Sequence, residues 1–339
     1  MSAARPAALL AYHPSLDVFD EAALRQIREV VDVVDDVPIH EWTDPRADAL
    51  LADVEVVIGH WGCPPIDRSV LDRAPKLGLF AYGAGTVKQT ITTDVLDHGV
   101  RVTSGAAANA EPVAEFTLAS ILYANKDVIW QRDVRRMPRD PSLRSFRQPS
   151  AAPVGNADKM IGIVGASLIG RRVIELLEAF PDLDVGLYDP FVDADEAASL
   201  GAQLMDLDEL CSTVDILSIH APDLPSTRRM IGAEQLALLR TGATVINTAR
   251  GALLDHDALV DELQAGRLSA VLDVTDPEPL PDDHPLWRLP NAFVSPHVAG
   301  SLGTELQRMV DHLVDEIERW RTGRPARNEV TADSFHRLA

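Results

Sequence analysis

Three short motifs each put a charged or titratable side chain just beyond a run that reads as a β-strand: NTARG at 247–251, DVTDPEP at 273–279 and SPHVAG at 295–300. The side chains are Arg250, Glu278 and His297. An arginine fork suits a carboxylate, because its paired N–H groups match the two oxygens and hold them rigidly. A histidine beside a carboxylate has its protonated form favoured and can give or take a proton on a carbinol oxygen near neutral pH. Any one of these residues alone at a strand end is more often a solvated group or half of a structural ion pair. All of them together, in ordered motifs, favour a catalytic constellation.

The elements that would carry them follow a βα rhythm. Short apolar runs at 7–12, 54–58, 77–82 and 100–103, with a helix near 21–30, predict a parallel sheet covered by helices. Ligand groups in such a sheet lie past the carboxyl ends of strands. Two tips fall there, GHWG at 59–62 and GAGT at 83–86. A long helix over 111–123 follows, with Asn109 as its N-cap and Pro112 in its first turn. A second series of runs at 185–189, 214–220, 243–247, 269–273 and 293–297 predicts another parallel sheet, and an amphipathic helix over about 302–320 is expected to cross back onto the first domain.

Between the two series lies MIGIVGASLIG at 160–170, running into an amphipathic helix. This strand-turn-helix context is what a dinucleotide loop requires: backbone N–H groups and the helix dipole would face a pyrophosphate. Gly165 and Gly170 fit the glycine pattern, but the middle position is Ser167, whose hydroxyl could donate to a phosphate oxygen. Asp189 ends the next strand, 19 residues past Gly170, near the spacing for a carboxylate on the adenosine ribose diol. A 2′-phosphate would be repelled there, and Pro190 and Phe191 supply no compensating cation. NAD is therefore favoured over NADP.

A formal charge of −21 over 339 residues argues against nucleic-acid or anionic-membrane partners. The basic cluster of Arg132, Arg135, Arg136, Arg139, Arg144 and Arg147 is the exception, and its interleaved prolines suggest a solvated loop. Cys63 and Cys211, far apart, suggest reduced thiols, and no apolar run reaches the length of a membrane span. A cytoplasmic protein is expected. His13, His40, His98, His256, His284, His312 and His336 show no ligand spacing, so no metal site is expected.

In this order the motifs resemble the D-isomer-specific 2-hydroxyacid dehydrogenase family, which includes phosphoglycerate, glycerate and formate dehydrogenases. NAEPVAE at 109–115, the glycine loop, IHAPDLPST at 219–227 and the three strand-end motifs span nearly the whole chain. The resemblance implies two Rossmann-like, doubly wound α/β domains with a cleft between them. These would be a flavodoxin-like substrate domain of 1–108 plus 300–339 and an NAD-binding domain of 109–299.

It further implies that an NADH hydride passes between cofactor and a 2-oxo or D-2-hydroxy acid. Arg250 would bind the carboxylate and His297 would be the acid/base, oriented by Glu278, which would favour its protonated form. Leu168 and Ile169 would meet the pyrophosphate, with His220, Ala221, Pro222, Thr248, Ala249, Asp273 and Gly300 along the cofactor and Asp273 near the nicotinamide carboxamide. Trp61, Gly85, Thr86 and Asn109 would face the substrate, and the protein would be a homodimer.

The chain departs from the family at Ser167. It departs again at AGTVKQTI over 84–91, where Lys88 and Ile91 stand near usually acidic positions, and at Trp61 and Gly62, where phosphoglycerate dehydrogenases tend to be polar or basic. Trp61 argues for a bulkier or more apolar substrate side chain than a phosphoryl group. His60 and Trp61 fit equally a substrate wall and a cap on the first sheet, whereas His220 is expected to shape the adenosine loop. The rival reading is an NAD(H)-sensing binding protein on the same fold with little or no turnover.

Overall fold

The computed structural model describes residues 4–129, 131–132 and 154–335. Arg135, Arg136, Arg139, Arg144 and Arg147 of the basic cluster lie outside the described residues. The chain divides into two compact units, Met1–Asn109 with Ser301–Ala339, and Ala110–Gly300.

The first unit is built on β1 (Ala7–Ala11), β2 (Asp32–Val33), β3 (Val56–Gly59), β4 (Leu79–Tyr82) and β5 (Arg101–Ser104). They pair in parallel in the order β2-β1-β3-β4-β5, the flavodoxin-like arrangement. β3 and β4 are apolar throughout and fully buried, as strands covered on both faces must be. On one face Ile27 and Val30 of the helix Glu21–Val30 pack with Val310, Leu313 and Ile317 of the helix Leu306–Arg321. Asp20 caps the first of these by accepting from Ala23 N.

The second unit holds β6 (Lys159–Val164), β7 (Leu183–Tyr188), β8 (Gln203–Leu204), β9 (Ile216–Ile219), β10 (Thr244–Asn247), β11 (Ser269–Leu272) and β12 (Ala292–Val294). All pair in parallel, in the order β12-β11-β10-β9-β6-β7-β8. This is the Rossmann order with one strand added at the edge. Alternate residues bury on opposite faces. Ile161 and Ile163 of β6 face Val173 and Ile174 of the helix Leu168–Leu177, while Leu217, Val245 and Leu272 face Leu259 and Leu263 of the helix His256–Gln264. The register aligns Tyr188, Val164, Ile219, Asn247, Leu272 and Val294 across the sheet, so the residue after each falls on one edge.

One expected element is corrected. The long helix runs over Ala106–Asn125 with Pro112 inside it, so Asn109 is a helical residue and not an N-cap. The alanine-rich entry explains this: Ala106, Ala107, Ala108 and Ala110 have the strongest helix propensity, and Ala106 N already donates to Ser104 Oγ. Pro112, taken as a first-turn marker, stands in the second turn instead. Among the described residues no helix is long and apolar enough to cross a membrane, and no three metal-ligating side chains cluster.

His60, at the end of β3, is 1% exposed, and burial pushes its pKa down to about 3. The neutral ring is favoured in the fold, while an unfolded histidine titrates near its ordinary value of about 6.5. Stability is therefore complete above that value and is lost as pH falls toward about 3. We expect the unfolding free energy to fall between pH 6 and pH 5 with a His60 contribution of about 1 kcal/mol per pH unit. In urea titrations His60→Gln should flatten that slope by one proton, whatever it does to the stability at neutral pH. An unchanged slope would show that His60 is not held neutral.

Candidate active site

The glycine loop is shaped by close approaches that a side chain would block. Gly165 follows β6 with φ +102°, and a Cβ there would lie 2.7 Å from Ala221 N, at the end of β9. A Cβ on Gly170 would lie 2.1 Å from the Gly165 carbonyl oxygen. Ser167, between them, is extended and caps the helix Leu168–Leu177: its Oγ accepts from Gly170 N at 3.2 Å. That bond uses the oxygen and leaves the hydroxyl proton free to donate. The next two N–H groups, on Leu168 and Ile169, have no acceptor among the described residues. A dipole-positive helix end with free N–H groups and a glycine cradle fits a dinucleotide pyrophosphate.

Asp189, after β7, is tied to this loop. Its Oδ2 accepts from Ala166 N at 2.7 Å and its Oδ1 from Phe191 N at 2.8 Å. Each oxygen keeps a further lone pair, so the carboxylate is held in place and still able to accept from a diol. At the end of β9, His220 is buried; its Nε2 lies 2.8 Å from Ser218 Oγ, and burial pushes its pKa down to about 3. A ring so enclosed is a neutral structural group. Thr227 Oγ1 then donates to the carbonyl oxygen of Pro222 at 2.5 Å, folding the loop back.

β10 ends at Asn247, which is fully buried and staples the turn: its Oδ1 accepts from Ala249 N and its Nδ2 donates to the Arg250 carbonyl oxygen, at 3.0 and 2.9 Å. Thr117 Oγ1 donates to Val113 O, so Thr248 is the donor in the 2.9 Å contact between the two threonine hydroxyls. The turn projects Arg250, whose guanidinium makes no ion pair among the described residues and donates once, to Ala249 O at 2.7 Å. Burial lowers its pKa, while Asp223 and Glu278 work in the opposite direction; arginine stays cationic regardless. Most of its fork is available to an incoming anion.

Gly251 brings the next loop up against this turn, since a Cβ there would lie 2.0 Å from the Thr275 carbonyl. That loop carries Glu278, whose Oε1 lies 2.7 Å from His297 Nδ1. An ionised carboxylate only accepts, so Nδ1 carries a proton and Nε2 is the nitrogen left to exchange one with a ligand. Both side chains are roughly half exposed, and pairs of that kind contribute at most about 1 kcal/mol to stability. Orientation of the imidazole is the larger effect.

His297 itself has φ +54°, a conformation that costs a non-glycine residue about 1–3 kcal/mol. Asp273 offsets it. Its carbonyl accepts from His297 N at 3.0 Å. Its carboxylate, 1% exposed, accepts from Ser295 Oγ, Val298 N and Ala299 N at 2.5, 2.9 and 2.8 Å. The resemblance assigns Asp273 to the nicotinamide carboxamide; here its carboxylate first of all clamps the histidine loop, which closes at Gly300. Sequence reasoning missed this clamp, and also missed Asn247 and Gly251 as the residues that shape the arginine turn.

In the first unit, Trp61 follows His60, and its N–H donates to His60 Nδ1 at 2.9 Å. The N–H groups of Gly85 and Thr86, beyond β4, have no acceptor among the described residues, while Ser104 Oγ donates to Gly85 O at 2.5 Å. Asn109 Oδ1 accepts from Ser301 N at 2.9 Å, and its Nδ2 lies toward Gly85.

Residues 129–299 match the family model of the NAD-binding domain of D-isomer-specific 2-hydroxyacid dehydrogenases. The chain is 34% identical over 277 residues to the D-3-phosphoglycerate dehydrogenase of Mycobacterium tuberculosis H37Rv, a match covering 80% of this chain and 49% of that protein. It thus spans about half the length of that relative. To the glyoxylate reductase of Aeropyrum pernix it is 32% identical, covering 79% of this chain and 80% of the other. A crystal structure of a Thermus thermophilus protein superposes with a TM-score of 0.72 at 29% identity, over 96% of this chain and 100% of that one.

Because Ser167 Oγ caps the helix, Ser167→Ala should lower stability by about 1 kcal/mol and Ser167→Gly by only a few tenths. Chemical denaturation measures both. Equal stability of wild type and Ser167→Ala would mean that the cap contributes nothing.

Proposed function

The chain belongs to the D-isomer-specific 2-hydroxyacid dehydrogenase family, and from that premise we propose that it is an NAD-dependent oxidoreductase interconverting a 2-oxo acid and a D-2-hydroxy acid. The observation that carries the reading is the joint arrangement at the second sheet's carboxyl edge: an arginine fork that has no carboxylate partner among the described residues, beside a histidine whose Nδ1 is held by Glu278 at 2.7 Å. Gly165, Ser167, Leu168, Ile169 and Gly170 would hold the pyrophosphate, and Asp189 the adenosine ribose. Bound there, the nicotinamide supplies or takes up a hydride.

The chain's own residues do the rest. Arg250 holds the substrate carboxylate with two parallel N–H bonds and draws electron density from the adjacent carbonyl. His297 Nε2 gives a proton to the carbonyl oxygen in reduction and takes it from the carbinol in oxidation. Glu278 keeps the ring in the tautomer and orientation that this requires. Asp273, by fixing the backbone of His297, sets where Nε2 points.

The free N–H groups of Gly85 and Thr86 fit a role in anion binding, and Asn109 and Trp61 are the other proposed substrate contacts. Trp61 and the absence of a cation from residues 59–62 favour a substrate with an apolar side chain over a phosphorylated one. A preference for NAD follows from Asp189, which would repel a 2′-phosphate.

The test follows NADH absorbance with a panel of 2-oxo acids. Wild type should turn over acids with apolar side chains faster than phosphorylated ones. His297→Ala should lower kcat by about 10²- to 10⁴-fold, and Arg250→Ala should lower kcat/KM by at least about 100-fold. Wild-type rates in either variant would overturn the mechanism. Tight NADH binding with no turnover of any acid would favour a nucleotide-sensing protein instead.

A further inference from the structure

The residues around Asp189 are connected by a chain of hydrogen bonds that no sequence motif predicts. Asp189 Oδ2 accepts from Ala166 N at 2.7 Å, and the carbonyl oxygen of the same Ala166 accepts from Arg171 Nε at 2.8 Å. Arg171 Nη2 in turn donates to Glu196 Oε1 at 2.6 Å. Arg171 is thus one residue removed from the proposed ribose carboxylate. Among the described residues it is the one cation hydrogen-bonded to the segment that leads from β7 into the helix Ala194–Ser199.

That segment, YDPFVDADEA at 188–197, runs from the end of β7 into the helix Ala194–Ser199, and has carboxylates at Asp189, Asp193, Asp195 and Glu196 and no basic residue. The other arginine of the pair, Arg172, is drawn elsewhere, to Glu111 at 3.0 Å and Glu175 at 2.8 Å. A nucleotide carrying a 2′-phosphate needs a cation close to the ribose. Arg171 is in place to be that cation, and Glu196 is what engages it. The side chains are partly exposed, so the pair contributes little to stability. Its effect on the local field is larger, because it neutralises the cation that this hydrogen-bond chain links to Asp189.

We propose that Glu196 is a specificity-determining residue: by pairing with Arg171 it withholds the guanidinium from a 2′-phosphate and adds to the discrimination against NADP exerted by Asp189. This rests on the reading of the glycine loop as a dinucleotide site. The backbone there does not depend on the Glu196 side chain, since Glu196 N is held by Asp193 Oδ1 at 2.8 Å.

The experiment titrates the full-length protein with NADH and with NADPH, reading nicotinamide fluorescence, for wild type, Glu196→Ala, Arg171→Ala and the double variant. Wild type should bind NADH more tightly. Glu196→Ala should tighten NADPH binding by about tenfold, the lower end of what one charge-assisted hydrogen bond contributes, and move NADH by less than about twofold. The double variant should lose that gain, which assigns it to the released guanidinium.

Unchanged NADPH affinity in Glu196→Ala would overturn the proposal. So would a gain that persists without Arg171, because removal of one negative charge would then suffice. A wild type that binds NADH with normal preference while Glu196→Ala changes nothing refutes only this role of Glu196. A wild type that binds neither nucleotide refutes the cofactor reading, and this inference with it.

Discussion

The parallel register of the second sheet is the constraint on which the candidate site depends. Because Val164 pairs with both Tyr188 and Ile219, and Asn247 with both Ile219 and Leu272, successive strands stop at the same level. Gly165, Asp189, His220, Thr248 and Asp273 therefore emerge side by side although up to 108 residues separate them in the chain. A slip of one residue in any strand would send its side chains to the opposite faces, where each would meet a helix whose packing it does not fit. The apolar residues that fill both faces thus secure the alignment of the polar ones at the edge. Packing and chemistry are specified by the same residues here.

Two local requirements then turn an aligned edge into an oriented site. Gly251 permits an approach to the Thr275 carbonyl that no other residue would allow, and so Glu278 stands near the arginine turn. Asp273 makes a left-handed His297 tolerable by collecting the N–H groups that this conformation turns inward. Such convergent N–H groups form a nest that favours an anion. The strain of one residue and the buried charge of another offset each other, and neither would persist alone. A carboxylate buried without those donors would face a desolvation penalty of several kcal/mol.

How much of this is legible in the sequence depends on the range of each interaction. Arg250, Glu278 and His297 each sit in a motif a few residues long at the end of an apolar run, so type and spacing locate them. The two parallel sheets are legible for the same reason, through alternation of short apolar runs and amphipathic segments. The clamp of Asp273 on Val298 spans 25 residues and exists only once β11 and β12 are paired. Helix boundaries fail in another way. The entry at Ala106 is governed by alanine propensity and by a hydroxyl on Ser104, while Pro112 signals a start that it does not mark. Ser167 reads as a defect in a glycine pattern until the helix it caps is present.

The charge balance is instructive because the chain as a whole carries −21 and the ligands proposed for it are anions. Long-range fields do not decide such binding: at physiological ionic strength they decay over about 8 Å. What counts is the polarity of the groups within one or two contacts of the ligand. The free N–H groups of Leu168 and Ile169 carry the positive end of a helix, and Arg250 is a cation half removed from water, where its interactions are stronger. Asp223 and Glu278 raise its preference for the charged state without occupying its fork. Selection among anions is therefore local: one that reaches these donors is held, and any additional charge that has no donor waiting is disfavoured. A phosphoryl group on the substrate or on the ribose would be such a charge.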